Sequence, residues 1–515
     1  MRVLRAQGRR TETMKRGWKL LIMLCVLGAL VGGYFILDAV NANQEEAETV
    51  AADTEETVEI TIPEKSDIVG ISYEYDGETV ALTREDSTAD WVYADDDAFP
   101  LDQTYPAQML AVIDALEPTR EFSGGNLADY GLDEPDVIVN VTDIDGNEYQ
   151  YSIGAENELT YEYYMATGDS DMIYTVDSSL LDNFSYGLFD LIETEDVPAM
   201  NNVESIDVTT GTRSVVLNYD PDANLSYSDA FVWYSDEDGQ TYPLGTDEVE
   251  SLMDDLNAMT WRACLSYNAD KSTLGTYGLE EPAATIVVRY MADVTTATGE
   301  TDENGDAITT TTSEERAFTL ELGSFVGDYC YARLGGSSMV YTIDATLADE
   351  LMLAGYSSLR SSTICALDFD TVGSMDITID GETHTIVLGT ETVEVTDTDS
   401  DSDDDTATTT TTQDRTFTLD GETADNDLGD ALLDAIGSIT WNGDTADSDA
   451  GSLPEVTIVF HRTTDTFTDM ELTLSRYGST AYRVMFEGAD GLLVSADYVT
   501  ALTDAFDSLS ESVSE

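Results

Sequence analysis

The chain has 515 residues, with 21 Lys+Arg against 104 Asp+Glu and a formal net charge of −83. Such a body repels phosphate backbones and anionic lipid, which argues against nucleic-acid binding and against peripheral docking on a lipid surface. Its length and 42% hydrophobic content leave room for several domains with real cores.

The charge is unevenly placed. Residues 1–19 hold seven basic groups and one acid, Glu12, and predict a basic cytoplasmic tail. Leu20 to Leu37 is then an uncharged apolar run of 18 residues. That is close to the roughly 20 residues a membrane-crossing helix needs, so residues 20–40 predict a transmembrane helix. Basic residues before it and none shortly after place the N-terminus in the cytoplasm and the rest outside. The expected location is therefore the cell membrane, single-pass, with the body extracytoplasmic. A cleaved signal peptide ending at Val40-Asn41-Ala42 is the alternative. Cys25 follows Leu24 instead of a small residue, which speaks against lipidation. Residues 41–66 are acidic and aromatic-free and read as a stalk.

Residues 67–200 form the first predicted unit. Ile68–Tyr75 and Thr79–Leu82 flank Asp76-Gly77, a strong hairpin signal. Trp91-Val92-Tyr93 reads as a third strand. Asp102 is placed to cap a helix with Pro106 in its first turn and Met109, Leu110, Ile113 and Leu116 on one face. Tyr130-Gly131-Leu132-Asp133-Glu134-Pro135 leads into strand Val137–Val141, a turn at Asp145-Gly146, strand Tyr149–Ile153 and a hairpin reaching Ile173-Tyr174. A short helix follows Asp177.

Residues 201–368 repeat this order. Trp233 stands for Trp91, and Tyr277-Gly278-Leu279-Glu280-Glu281-Pro282 repeats the hexapeptide. The helix through Val249, Leu252, Met253, Leu256 and Met259 is assigned Thr246 as its N-cap, with Asp247 and Glu248 in the first turn. Tyr130 to Tyr174 spans 44 positions and Tyr277 to Tyr341 spans 64; Val294–Ser313 supplies the difference as a hairpin tip lengthened into solvent. Residues 369–515 are a degenerate third copy with its own insert, Glu391–Asp414, a helix through Leu428, Leu432, Ile436 and Ile439, and Thr440-Trp441 where the second unit has Thr260-Trp261. Its motif is reduced to Gly451-Ser452-Leu453-Pro454-Glu455, and a helix through Tyr498, Leu502, Phe506 and Leu509 closes the chain. The predicted class is α+β: three tandem related units of mostly antiparallel sheet, each with one long and one short helix.

The order of Trp strand, helix, Tyr-Gly-Leu-acid-x-Pro, strand pair and Val/Ile-Tyr strand resembles the bacterial domain-of-unknown-function family numbered 4340. The resemblance covers residues 68–366 in two copies and the third unit weakly. It implies a membrane-anchored envelope protein, such members often being encoded beside ABC-transporter permeases and a gliding-motility-type auxiliary component. It carries no catalytic residues over.

The repeated motif is the candidate site, with Tyr130, Gly131, Leu132, Glu134 and Pro135 in one copy and Tyr277, Gly278, Leu279, Glu281 and Pro282 in the other. A scaffold role accounts for it: left-handed glycines, leucines plugging the core, prolines opening an edge strand, and glutamates held extended before proline and facing solvent. Catalytic constellations do not stand out. His384 and His461 are isolated in sequence, Lys65 and Lys271 are the body's two lysines, and Gly-x-Ser-x-Gly and phosphate-binding loops are absent. No cofactor and no metal site are expected. Asp143–Gly146, Asp236–Gly239 and Asp302–Asp306 look like calcium loops, but hairpin turns need the same residues, leaving weak divalent-cation association. Cys264, Cys330 and Cys365 allow one bridge or three buried thiols. The expected function is a non-enzymatic interaction module, an accessory to ABC-type transporter subunits in the membrane. The alternative is a binder of extracellular glycan or cell-wall polymer through Tyr161, Tyr163 and Tyr164.

Overall fold

The computed structural model describes residues 60–515, apart from 169–170, 238, 302–306, 398–407, 446–452, 488–490 and 515. The basic tail, the apolar run and most of the acidic stretch lie outside the described residues. Among those described, no helix is long and apolar enough to cross a membrane.

Three antiparallel sheets succeed one another. The first contains β1 (Ile68–Tyr75), β2 (Glu78–Thr83), β3 (Val92–Tyr93), β4 (Arg120–Ser123), β5 (Val137–Asp143), β6 (Glu148–Glu156), β7 (Tyr163–Thr167) and β8 (Met172–Val176), in the order β3-β2-β1-β5-β6-β7-β8-β4. The second contains β9 (Val203–Thr210), β10 (Ser214–Tyr219), β11 (Trp233–Glu237), β12 (Gln240–Leu244), β13 (Ala263–Ser266), β14 (Ala284–Thr301), β15 (Ala307–Val326), β16 (Tyr329–Leu334) and β17 (Val340–Asp344), ordered β12-β11-β10-β9-β14-β15-β16-β17-β13. The third contains β18 (Val372–Ile379), β19 (Glu382–Asp397), β20 (Thr408–Leu419), β21 (Glu422–Thr423), β22 (Trp441–Asp444), β23 (Val456–Arg462), β24 (Asp469–Tyr477), β25 (Ala481–Met485) and β26 (Leu492–Ser495), and its order β21-β20-β19-β18-β23-β24-β25-β26-β22 repeats the second. In each, the first strand sits mid-sheet and hairpins run outward from it to one edge. A long helix then carries the chain across, so that the next strand lands on the opposite edge.

Local chemistry explains the pieces. Asp76-Gly77, Asp380-Gly381 and Asp420-Gly421 all have positive φ at both residues, the backbone of a two-residue hairpin turn. The long helices Thr104–Asp114, Thr246–Asn257 and Asn426–Gly437 bury one stripe each, such as Val249, Leu252, Met253 and Leu256. These stripes share cores with the alternate residues of the sheets, for instance Ile206, Val208, Ile286 and Val288. β14 and β15 remain paired out to Thr301↔Ala307, whereas β9 follows β14 only to Tyr290. The described residues of the Val294–Ser313 insert are thus a two-stranded ribbon extending past the neighbouring strands.

Three expectations need correction. The cap of Thr246–Asn257 is Gly245, and the Thr246 hydroxyl donates to the Ala230 carbonyl instead of serving its own helix. The cap of the first long helix is Gln103, with Asp102 accepting from the Thr104 amide at 2.8 Å. The closing helix of the third unit, Ala496–Ser514, is the longest of the described helices, not a short one. It packs Leu502, Phe506 and Leu509 into the third core.

Candidate functional site

In both copies of the motif a single turn joins the helical segment before it to the strand after it. Gly131 and Gly278 have φ of 67° and 72°, a region open to glycine at little cost. The Leu132 and Leu279 amides donate 2.9 and 2.8 Å bonds to the Leu127 and Leu274 carbonyls, and both leucine side chains are buried. Pro135 and Pro282 are half-buried, and Glu134 and Glu281 are exposed. Lys271 pairs with Glu280 at 2.9 Å, not with Glu281. The motif brings no two titratable groups of its own together.

What the motif rests on could not be read from its own residues. Gly154 on β6 and Gly323 on β15 lie under the turn, where a Cβ would collide with the Tyr130 and Tyr277 carbonyl oxygens respectively. The Tyr277 carbonyl accepts from the Ser324 amide at 2.9 Å. The two tyrosines, half-buried, pack edge-on against Tyr164 and Tyr331 at 4.9 and 4.8 Å. Register defines the third-unit counterparts. Val137↔Ile153, Ala284↔Leu322 and Val456↔Leu474 are equivalent pairs, so Ser475 stands where Gly154 and Gly323 do. Pro454 then aligns with Pro135, and Leu453 with Glu134. Accordingly Leu453 is 89% exposed and is no core plug. The third unit, whose sequence lacks the Tyr-Gly-Leu turn, also lacks the glycine shelf, Ser475 standing there instead. This is the behaviour of a packing device, and the only available forewarning was the Ile-Gly and Leu-Gly pairs in β6 and β15.

A second repeated arrangement lies at the joints. The Trp261 indole N–H donates to the Glu195 carbonyl at 2.7 Å, and the Trp441 indole N–H to the Ser361 carbonyl at 2.9 Å. In each case a tryptophan at or just before the far-edge strand holds the segment entering its own unit. Trp261 is stacked on Tyr341 at 4.2 Å, and the Tyr341 hydroxyl accepts from the Glu195 amide at 3.0 Å. Burial pushes the Tyr341 hydroxyl pKa up. Arg360 lies 4.3 Å over Trp441. Tyr227 and Phe231, from the second unit, are buried in the third core.

The remaining candidates resolve simply. Asp143 accepts from the Asp145 and Asn147 amides, the Asn147 side chain and the Tyr149 hydroxyl. These bonds hold its carboxyl below the usual range, the Asn147 side chain foremost. Its oxygens are committed to closing the turn. The other two acidic loops include residues outside those described. Cys264, Cys330 and Cys365 are buried and unbridged, with burial pushing the first two thiols up to about 11 and Cys365 up to about 12. His461 lies between Asp469 and Asp376, at 2.6 and 3.3 Å, and His384 meets Asp420 at 2.8 Å. Tyr161, at the β6–β7 tip, is 74% exposed, while Tyr163 and Tyr164 are half-buried.

The family described as "Domain of unknown function (DUF4340)" matches residues 91–223 and 233–441, well over half of the chain. The chain belongs to the DUF4340 family. The two matches begin at Trp91 and Trp233, equivalent residues of successive units, and the second runs past residue 368 into the third unit. No curated relative and no solved structure matches the chain.

Proposed function

We propose that this DUF4340 protein is a non-enzymatic, single-pass envelope protein whose array of three units presents binding surfaces outside the cell, as an accessory of an ABC-type transporter. The observation that carries the reading is the structural use of the repeated motif: its conspicuous residues are spent on a turn, a core plug and an aromatic contact, and its glutamates stand apart. A chain that repeats scaffold without repeating a reactive cluster is suited to contact. The apolar run at Leu20–Leu37 with its basic flank supports the anchor, and the family resemblance supports the transporter. Purification in mild detergent tests it. Recovery of transporter subunits with the full chain is the expected result, and recovery with no membrane partner would overturn it.

One observation favours a second reading. The hairpin tip carrying Leu159, 90% exposed, and Tyr161 offers apolar and aromatic surface to a sugar ring. Sedimentation with purified cell wall, lost in Tyr161→Ala, would select that reading.

A further inference from the structure

The same groove recurs in all three units, between the start of the first strand, the end of the second and the long helix. Register identifies its floor. Trp233 lies opposite Tyr219 and Phe417 opposite Leu388, and one step beyond the Thr83↔Val92 pair the first unit places Trp91 by Arg84. In the first unit Arg84 fills the groove. Its guanidinium sits 4.8 Å over Trp91, and Nε donates to the Ile68 carbonyl at 2.8 Å. In the third unit the groove is a cleft of about 830 Å³ whose lining includes Leu388 and Arg415, two residues before Phe417, and Arg415 is held by Asp430 at 2.9 Å and by Asp370. Each of these units therefore supplies its own guanidinium.

The second unit does not. Tyr219 replaces Arg84, and Phe231, at the position of Arg415, is buried in the third core. The cleft there, of about 400 Å³, is lined by Tyr219, Trp233, Met253 and Met291 together with Glu204 and Glu250, and among the described residues no basic side chain lines it. Glu250 holds the helix position of Asp430, the carboxylate that grips Arg415; the helices align through Leu252 with Leu432 and Leu256 with Ile436. The corresponding first-unit positions are Val69 and Ala107, neither of them acidic. Acids thus stand where the internal cation is missing, and neither Glu204 nor Glu250 pairs with a basic side chain among the described residues.

The geometry points to a binding site for an arginine side chain of a partner protein, its guanidinium against Tyr219 and Trp233 and bonded to Glu250. This rests on the interaction-module reading and gives it a contact chemistry. An aromatic face and a carboxylate attract a guanidinium together, and the planar fork suits the carboxylate better than an ammonium does. The ligand is thus the group that the sister grooves hold internally.

Calorimetric titration of the full chain in detergent with acetyl-Gly-Arg-Gly-amide tests it. The citrulline analogue, uncharged and nearly isosteric, is the comparator. The arginine peptide is expected to bind about tenfold or more tightly than the analogue. Glu250→Gln, an exposed change, is expected to erase that preference. Tyr219→Arg, which fills the groove as Arg84 does in the first unit, is expected to abolish binding with circular dichroism unchanged. No arginine-specific heat up to about 10 mM peptide, or equal binding by Tyr219→Arg, overturns the site. Co-purifying membrane subunits without peptide binding would refute the groove alone. Peptide binding without such subunits would refute the transporter reading alone.

Discussion

Gly323→Ala is the sharpest test of the motif as scaffold. The φ of Gly323 is not among the positive values, so alanine suits its backbone and in open space would stabilise by ~0.5 kcal/mol through the unfolded chain. Here the new Cβ would collide with the Tyr277 carbonyl oxygen and come to 3.0 Å from Leu279 Cγ. Relief requires the turn to lift. That breaks the 2.9 Å bond from the Ser324 amide, about 1 kcal/mol, and draws Leu279 partly out of a site where it is 0% exposed, about 2 kcal/mol if complete. The net loss is ~2 kcal/mol. Because a chain with several cores need not unfold in one step, the loss is best read by hydrogen exchange of the β14 and β15 amides. Ser475→Gly, at the equivalent site where a side chain is already accommodated, should cost no more than ~1 kcal/mol. Exchange in Gly323→Ala within about 0.5 kcal/mol of the parent would refute the shelf.

Three further outcomes are expected. Trp441→Phe removes the indole bond to Ser361 and weakens the Arg360 stack, about 1–2 kcal/mol together; limited proteolysis should then cut residues 360–368 faster, and equal rates would mean the joint is held otherwise. The Asp469 bond, followed by that of Asp376, holds the His461 pKa above its ordinary value of about 6.5. This stabilisation is complete below about pH 6.5 and lost as pH rises through the folded-state value. Asp376 is held low by Thr385 and then His461, so its contribution is present above about pH 3.8 and lost as pH falls through its lower folded value. Denaturation of the third unit should therefore become easier as pH rises above about 6.5, with a smaller slope in His461→Gln; identical slopes would exclude His461 as the cause. Finally, self-repulsion at a net charge of −83 should make the melting temperature rise between about 0.05 and 1 M NaCl. A flat profile would show that screening weakens the Arg–carboxylate pairs by as much as it relieves repulsion.

Much of the array is legible along the chain because its signals are local. Asp-Gly steps mark hairpins through backbone geometry, and Val249, Leu252, Met253 and Leu256 mark a helix through spacing. Thr246 shows where such reading stops. A threonine before two acids resembles a cap, but its hydroxyl donates to Ala230, 16 residues earlier, and that partner comes from the β10–β11 connection. Leu453 shows the same limit: only the pairing of β23 with β24 shows that it stands at the Glu134 position.

By itself the sequence determined that sheet-forming units follow one another, most of their hairpins and the long helices, and which hairpins are lengthened, since each depends on residues a few positions apart. The tertiary structure alone decided that the strand after each long helix crosses to the far edge, that Gly154 and Gly323 carry the motif, and that Arg84 and Arg415 supply a guanidinium to grooves whose second-unit counterpart has none among the described residues. These relations join segments tens of residues apart in the chain. They are set by which strand edges, helix stripes and charged groups can be satisfied at once in three dimensions, which no local periodicity encodes.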